Sequence, residues 1–102
     1  MKQPVKLAGM NWFLREDYDQ LMTLFKDRDK LHGTYDEWLA AAETGVRNFE
    51  RQGLKAIKVV ITPDEIQKYC AAKGVDIDAK ARTSFANEKL YAMYQRGEIV
   101  LG

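Results

Sequence analysis

At 102 residues the chain has room for one hydrophobic core, and 46% hydrophobic with 30% charged residues is the content of a globular domain rather than a disordered or fibrous one. Sixteen basic residues against fifteen acidic ones leave a formal net charge of +1, so no bulk charge draws the chain to nucleic acid or to an anionic membrane. A single cysteine excludes an intrachain disulfide, and no apolar run approaches the roughly 18 residues of a membrane span.

The opening "MKQPVKLAGM" carries lysines and a proline where a signal peptide needs an apolar centre, which points to the cytoplasm. Residues 1–102 read as one domain, with 1–10 as a flexible or appended lead. From Asn11, "NWFLREDYDQLMTLFKDRDKL" sets Leu14, Tyr18, Leu21, Met22 and Phe25 at helical spacing between charged residues, so a first helix is expected over roughly 14–30. The dipeptide "HG" at 32 and 33 ends it.

"TYDEWLAAAETGVRNFERQG" restarts with a capping box: Thr34 accepts from the third helical amide and Glu37 reaches back to the amide of Thr34. The helix is expected over 35–52, with Tyr35, Trp38, Leu39, Ala42, Val46 and Phe49 on its buried side and Gly53 as its stop. Gly45 in mid-helix costs about 1 kcal/mol against alanine, and a backbone passing close beside Trp38 is the expected reason. "LKAIKVVIT" then places Ile57, Val59 and Ile61 on one face and Ala56, Lys58 and Val60 on the other, a β-branched strand at about 54–61.

"TPDE" is a second capping box, with Thr62 as the cap and Pro63 at the first helical position, where its missing amide is not needed. A short helix follows over 63–73, sharing Ile66, Tyr69 and Cys70 on a face and stopping at Gly74. Asp78 caps a last helix over 79–96, whose stripe is Phe85, Ala86, Leu90, Met93 and Tyr94. The order α-α-β-α-α, with a closing strand in "EIVLG", defines a mostly helical α+β domain. The strand at 54–61 needs a neighbour for its backbone groups. Residues 98–101, residues 4–7, or a second copy of the chain are the candidates, and the apolar edge favours a homodimer.

Several patterns suggest chemistry. Residues 27–38, "DRDKLHGTYDEW", begin like an EF-hand loop, but Leu31, His32 and Trp38 stand where an oxygen ligand, glycine and a bidentate carboxylate are required. Residues 66–86 resemble a helix-turn-helix, with Cys70 before Gly74. Lys80 and Thr83, however, occupy the positions where that motif carries aliphatic residues. Lys73, Lys80, Arg82 and Lys89 would be its phosphate contacts, interrupted by Asp76, Asp78 and Glu88. Cys70 shares a face with Ile66 and Tyr69, so it reads as a core thiol, and His32 is too far along the chain to imply a dyad. No phosphate loop, serine elbow, metal-ligand spacing or cofactor motif is present.

The expected function is therefore non-enzymatic: binding of another macromolecule, a protein partner or a second copy. Trp12 is the candidate anchor, and Arg47, Arg51, Lys55 and Lys58 are a candidate basic patch beside the strand. A nucleic-acid-binding regulator using that patch or the basic residues of 73–89 is the second expectation, and an enzyme whose site forms between subunits is the third.

Overall fold

A computed structural model describes residues 6–31 and 33–99. Strand β1 (Lys6–Trp12) opens it, followed by helix α1 (Arg15–Leu24), a 3₁₀ turn (Arg28–Lys30), helix α2 (Tyr35–Arg51), strand β2 (Leu54–Val60), helix α3 (Pro63–Lys73) and helix α4 (Ala79–Gln95). The fold is a mostly helical α+β domain. Its order differs from the expected one in that a strand, β1, stands at the front of the described chain.

β1 and β2 pair in parallel, from Lys6 opposite Leu54 to Trp12 opposite Val60. Parallel neighbours cannot be joined by a hairpin, and α1 and α2 supply the crossover. Of the expected partners for β2, the segment at 4–7 lies partly on the observed strand, which runs five residues further. Glu98 and Ile99 are not in a strand. Residues 4, 5, 100 and 101, and His32, lie outside the described residues.

Helices cover both faces of this narrow sheet. A side chain built on Gly9 would meet Leu90 Cδ2 of α4 at 3.0 Å, and one built on Gly45 of α2 would meet Met10 Cε at 3.0 Å. Side chains alternate along a strand, so odd residues of β1 face α4 and even ones face α2. Gly45 thus admits a methionine methyl rather than the backbone expected there.

The main core lies at the C-terminal ends of the strands. Trp12, Phe13, Tyr18, Leu21, Phe25, Trp38, Ile61, Ile66, Cys70, Ala81 and Phe85 form one buried cluster. Aromatic rings dominate it, with Trp12 set edge-on to Trp38 at 5.2 Å and Phe13 at 4.8 Å from Trp38. The hydroxyl of Tyr35 donates to the Phe13 carbonyl at 2.9 Å, fixing the start of α2 over the β1–α1 turn.

The helix boundaries follow local chemistry at most ends. The Glu37 and Glu65 amides donate to the hydroxyls of Thr34 and Thr62 at 3.1 and 3.2 Å, and the Ala81 amide donates to Asp78 at 2.9 Å. In both threonine caps the hydroxyl in turn donates to the glutamate carboxylate at 2.9 Å, where a capping box would use the threonine amide. Gly74 takes the left-handed conformation (φ 67°), and the Val75 amide closes onto the Cys70 carbonyl at 3.0 Å.

α1 is the exception. Expected to run to about residue 30, it stops at Leu24, and Phe25 is extended. The Lys26 amide leaves the helix to donate to the Ile77 carbonyl at 2.8 Å, while Phe25 is buried in the core. The segment after α1 is held by the α3–α4 corner, which outweighs its helical pattern.

Candidate functional site

β1 has the sequence "KLAGMNW", with one charge at its start and none in the six residues that follow. Its last contact with β2 fixes which way each backbone group points: the Ile61 amide donates to the Trp12 carbonyl at 2.9 Å. In a parallel ladder the N–H and C=O of one residue point to the same side and those of the next point away. The even residues of β1 therefore face β2, and Leu7, Gly9 and Asn11 turn their backbone groups to the open side. Among the described residues, no hydrogen bond reaches those outward groups, and Gly9 is exposed.

The open side of β1 is the floor of a slot of about 250 Å³ between the two covering helices. It is lined by Gly9, Met10 and Asn11, by Phe49 of α2, and by Thr83, Ala86 and Asn87 of α4, none of them charged. Further along α4, at helical spacing from Asn87, Tyr91 and Tyr94 are 65% and 46% exposed. Tyr94 was expected in the core stripe of this helix; it lies at the surface.

The outer side of β2 is different. The Lys89 ammonium donates to the Val60 carbonyl at 2.8 Å and to both Glu65 carboxylate oxygens at 3.0 and 3.1 Å, closing the end of that edge. Lys55 and Lys58 stand along the rest of it, and lysines on an edge strand oppose pairing with another chain. β1 carries no such guard beyond Lys6 at its start.

The residues nominated from sequence are placed elsewhere. Trp12 ends β1; at 8% exposed it is a core residue, and the Lys58 ammonium sits 4.4 Å from its ring centre. It is not available as a surface anchor. Arg47 and Arg51 are exposed on α2, where Arg47 donates to the Thr44 hydroxyl at 3.1 Å and Arg51 to the Asn48 side chain at 3.5 Å. Lys58 shares the α2 side of the sheet with Met10 and Trp12, while Lys55, an odd number of residues away, leaves from the α4 side. The two lysines are not brought together.

At the α3–α4 corner, a wide hollow of about 590 Å³ is lined by Tyr69, Lys73, Val75, Lys80, Ser84 and Glu88, among others. Three of its polar groups engage one another: the Tyr69 hydroxyl donates to Glu88, which also lies 3.8 Å from Lys73. That hydrogen bond holds the Tyr69 hydroxyl above its ordinary pKa. Of the basic residues on the helix-turn-helix-like stretch, Arg82 is buried against Asp27 and Lys89 is bound to Glu65. The calcium-like loop meets the same fact, since its first acid, Asp27, is the partner of Arg82. Burial raises the Cys70 thiol pKa, and Cys70 is 2% exposed. Among the described residues, no group of three or more His, Cys, Asp and Glu is placed to hold a metal ion, and no helix is long and apolar enough to cross a membrane.

No protein-family model, curated protein or solved structure matches this chain. The outward residues Leu7, Gly9 and Asn11 were not singled out in the sequence. The only signal for them was the weak alternation of Ala8, Met10 and Trp12 with those three.

Proposed function

We propose that the protein is a non-enzymatic interaction module that binds another protein chain by taking an extended segment onto the open edge of β1. The observation that carries this reading is the row of outward backbone groups at Leu7, Gly9 and Asn11, which find no partner among the described residues, with Gly9 and Asn11 on the floor of an uncharged slot. A strand added there gains main-chain hydrogen bonds, and the slot walls at Phe49, Thr83 and Ala86 supply selectivity for its side chains. Self-association into a homodimer belongs to the same reading. The lone buried thiol of Cys70 suits the cytoplasm, where thiols stay reduced.

Proline tests this by residue parity. Leu7→Pro removes an outward donor and leaves the β1–β2 ladder whole, whereas Ala8→Pro removes an inward one. Tagged wild-type protein retains its partner after nuclease treatment of the extract, Leu7→Pro loses it while staying folded by circular dichroism, and Ala8→Pro loses stability. A partner retained equally by wild type and Leu7→Pro would remove the edge as the docking element.

Nucleic-acid binding has less support, because Arg82 and Lys89 are engaged within the fold and Lys55 and Lys58 leave from opposite faces. If that alternative held, affinity would fall steeply with salt and with loss of charge at Arg47 and Arg51.

A further inference from the structure

We infer that the occupant of the β1 edge is β1 of a second copy, paired antiparallel about a two-fold axis at Gly9 to give one four-stranded sheet, β2-β1-β1-β2. This rests on the reading that the β1 edge is the docking element, and names what docks.

The spacing of the outward groups suits self-pairing. With Gly9 opposite Gly9, Leu7 of each copy faces Asn11 of the other, and every outward N–H and C=O from 7 to 11 meets an outward partner. Such mutual pairs are the hydrogen-bonded pairs of an antiparallel ladder. Charge agrees, because Lys6 then faces Trp12 of the other copy. A parallel in-register pairing would set Lys6 beside Lys6, which is unfavourable. The uncharged lining of the slot offers nothing to a charged segment, and it matches the uncharged run from Leu7 to Trp12.

The covering helices fit as well. In a continuous sheet with strands about 4.8 Å apart, the midlines of the two β1–β2 pairs lie roughly 10 Å apart. α4 contacts both β1 and β2, so it rides near that midline. Two copies of α4 then run side by side at about the 8–10 Å at which helices pack. The residues of α4 at the slot are Thr83, Ala86 and Asn87, small enough for that approach. Since Leu90 stands over Gly9 while Ala81 and Phe85 lie in the core with Trp12 at the C-terminal ends of the strands, α4 runs opposite to β1, and the exposed Tyr91 and Tyr94 of one α4 lie toward the start of the other. A single extended peptide would leave both tyrosines uncovered; a whole second copy covers them.

Sedimentation equilibrium of the purified chain, with cysteine trapping of the register, tests this. Wild type is expected to sediment as a dimer, Leu7→Ala (which trims the side chain and keeps the donor) to stay one, and Leu7→Pro to dissociate at least about tenfold more readily, having lost two hydrogen bonds per dimer. Leu7→Cys and Asn11→Cys proteins are expected to form a disulfide when mixed and oxidised. Leu7→Cys alone is not, because its two copies stand roughly 14 Å apart along the strands. Native Cys70 is buried and does not compete.

A wild-type monomer throughout the high-micromolar range would overturn the second-copy assignment. So would a dimer indifferent to Leu7→Pro, or one that cross-links through Leu7→Cys alone. The docking reading is judged separately: if the chain is a monomer and Leu7→Pro still abolishes partner capture, the edge binds a different protein, and if capture is unchanged both readings fail.

Discussion

Arg82 and Asp27, 55 residues apart in the chain, meet in a two-bonded ion pair, with Nη1 donating to Oδ1 at 2.8 Å and Nη2 to Oδ2 at 2.7 Å. The guanidinium also lies 4.3 Å from the centre of the Phe25 ring. Together with the Lys26 amide on the Ile77 carbonyl, this pair clamps the segment after α1 onto the α3–α4 corner.

Removing one member of the pair leaves the other under-solvated. Arg82→Met is expected to cost about 2–3 kcal/mol in urea unfolding, more than loss of an exposed pair such as Lys68–Asp64. Arg82→Leu combined with Asp27→Leu should cost less than the two single changes summed. Strictly additive costs would mean that the two side chains do not depend on each other.

The same pair makes stability depend on acid. The hydrogen bonds from Arg82 hold the Asp27 carboxyl below its ordinary pKa. A carboxyl lowered in the folded state contributes stability that is present above its unfolded pKa and lost as pH falls through the folded value. Wild type is therefore expected to lose stability below about pH 4, and Arg82→Met to show a shallower acid slope. Parallel slopes in the two proteins would remove Asp27 as the source.

Gly45 tests the packing of α2 on β1. Gly45→Ala gains about 1 kcal/mol of helix propensity. The new Cβ, however, stands 3.0 Å from the methyl of Met10, which must swing aside. The net change in wild type is expected to be smaller than in a Met10→Ala background, where the full gain appears. Identical gains in both backgrounds would show that Met10 does not hold this position.

Cys70 should label with a thiol reagent only as fast as the domain opens. Its burial keeps both the reagent out and the thiolate scarce. Labelling is expected to speed up with urea, in step with unfolding, and to be faster in Arg82→Met. Rapid native labelling that is insensitive to urea would place Cys70 at the surface.

Much of the fold could be read from short stretches. Thr34, Thr62 and Asp78 cap their helices and Gly74 stops one, because a cap needs only a side chain and an amide two or three positions away. The β-branched run from Leu54 to Val60 likewise declares its own extended backbone. α1 shows where local reading fails: its helical pattern continues past Leu24, but the bonds of Lys26 and Asp27 to the α3–α4 corner end it.

What the sequence determined by itself was the set of segments and their local ends, through forces that act within one or two turns of chain. What only the tertiary structure decided was β1 and everything that depends on it. "LAGMNW" alternates weakly, and becomes a strand because β2, far along the chain, offers a parallel ladder. That pairing buries Trp12, sends Lys55 and Lys58 to opposite faces, and turns the backbone of Leu7, Gly9 and Asn11 outward. Backbone groups alternate in direction along any strand, but which of them face outward is decided only when β2 takes the others, so no inspection of β1 alone could have revealed its open edge.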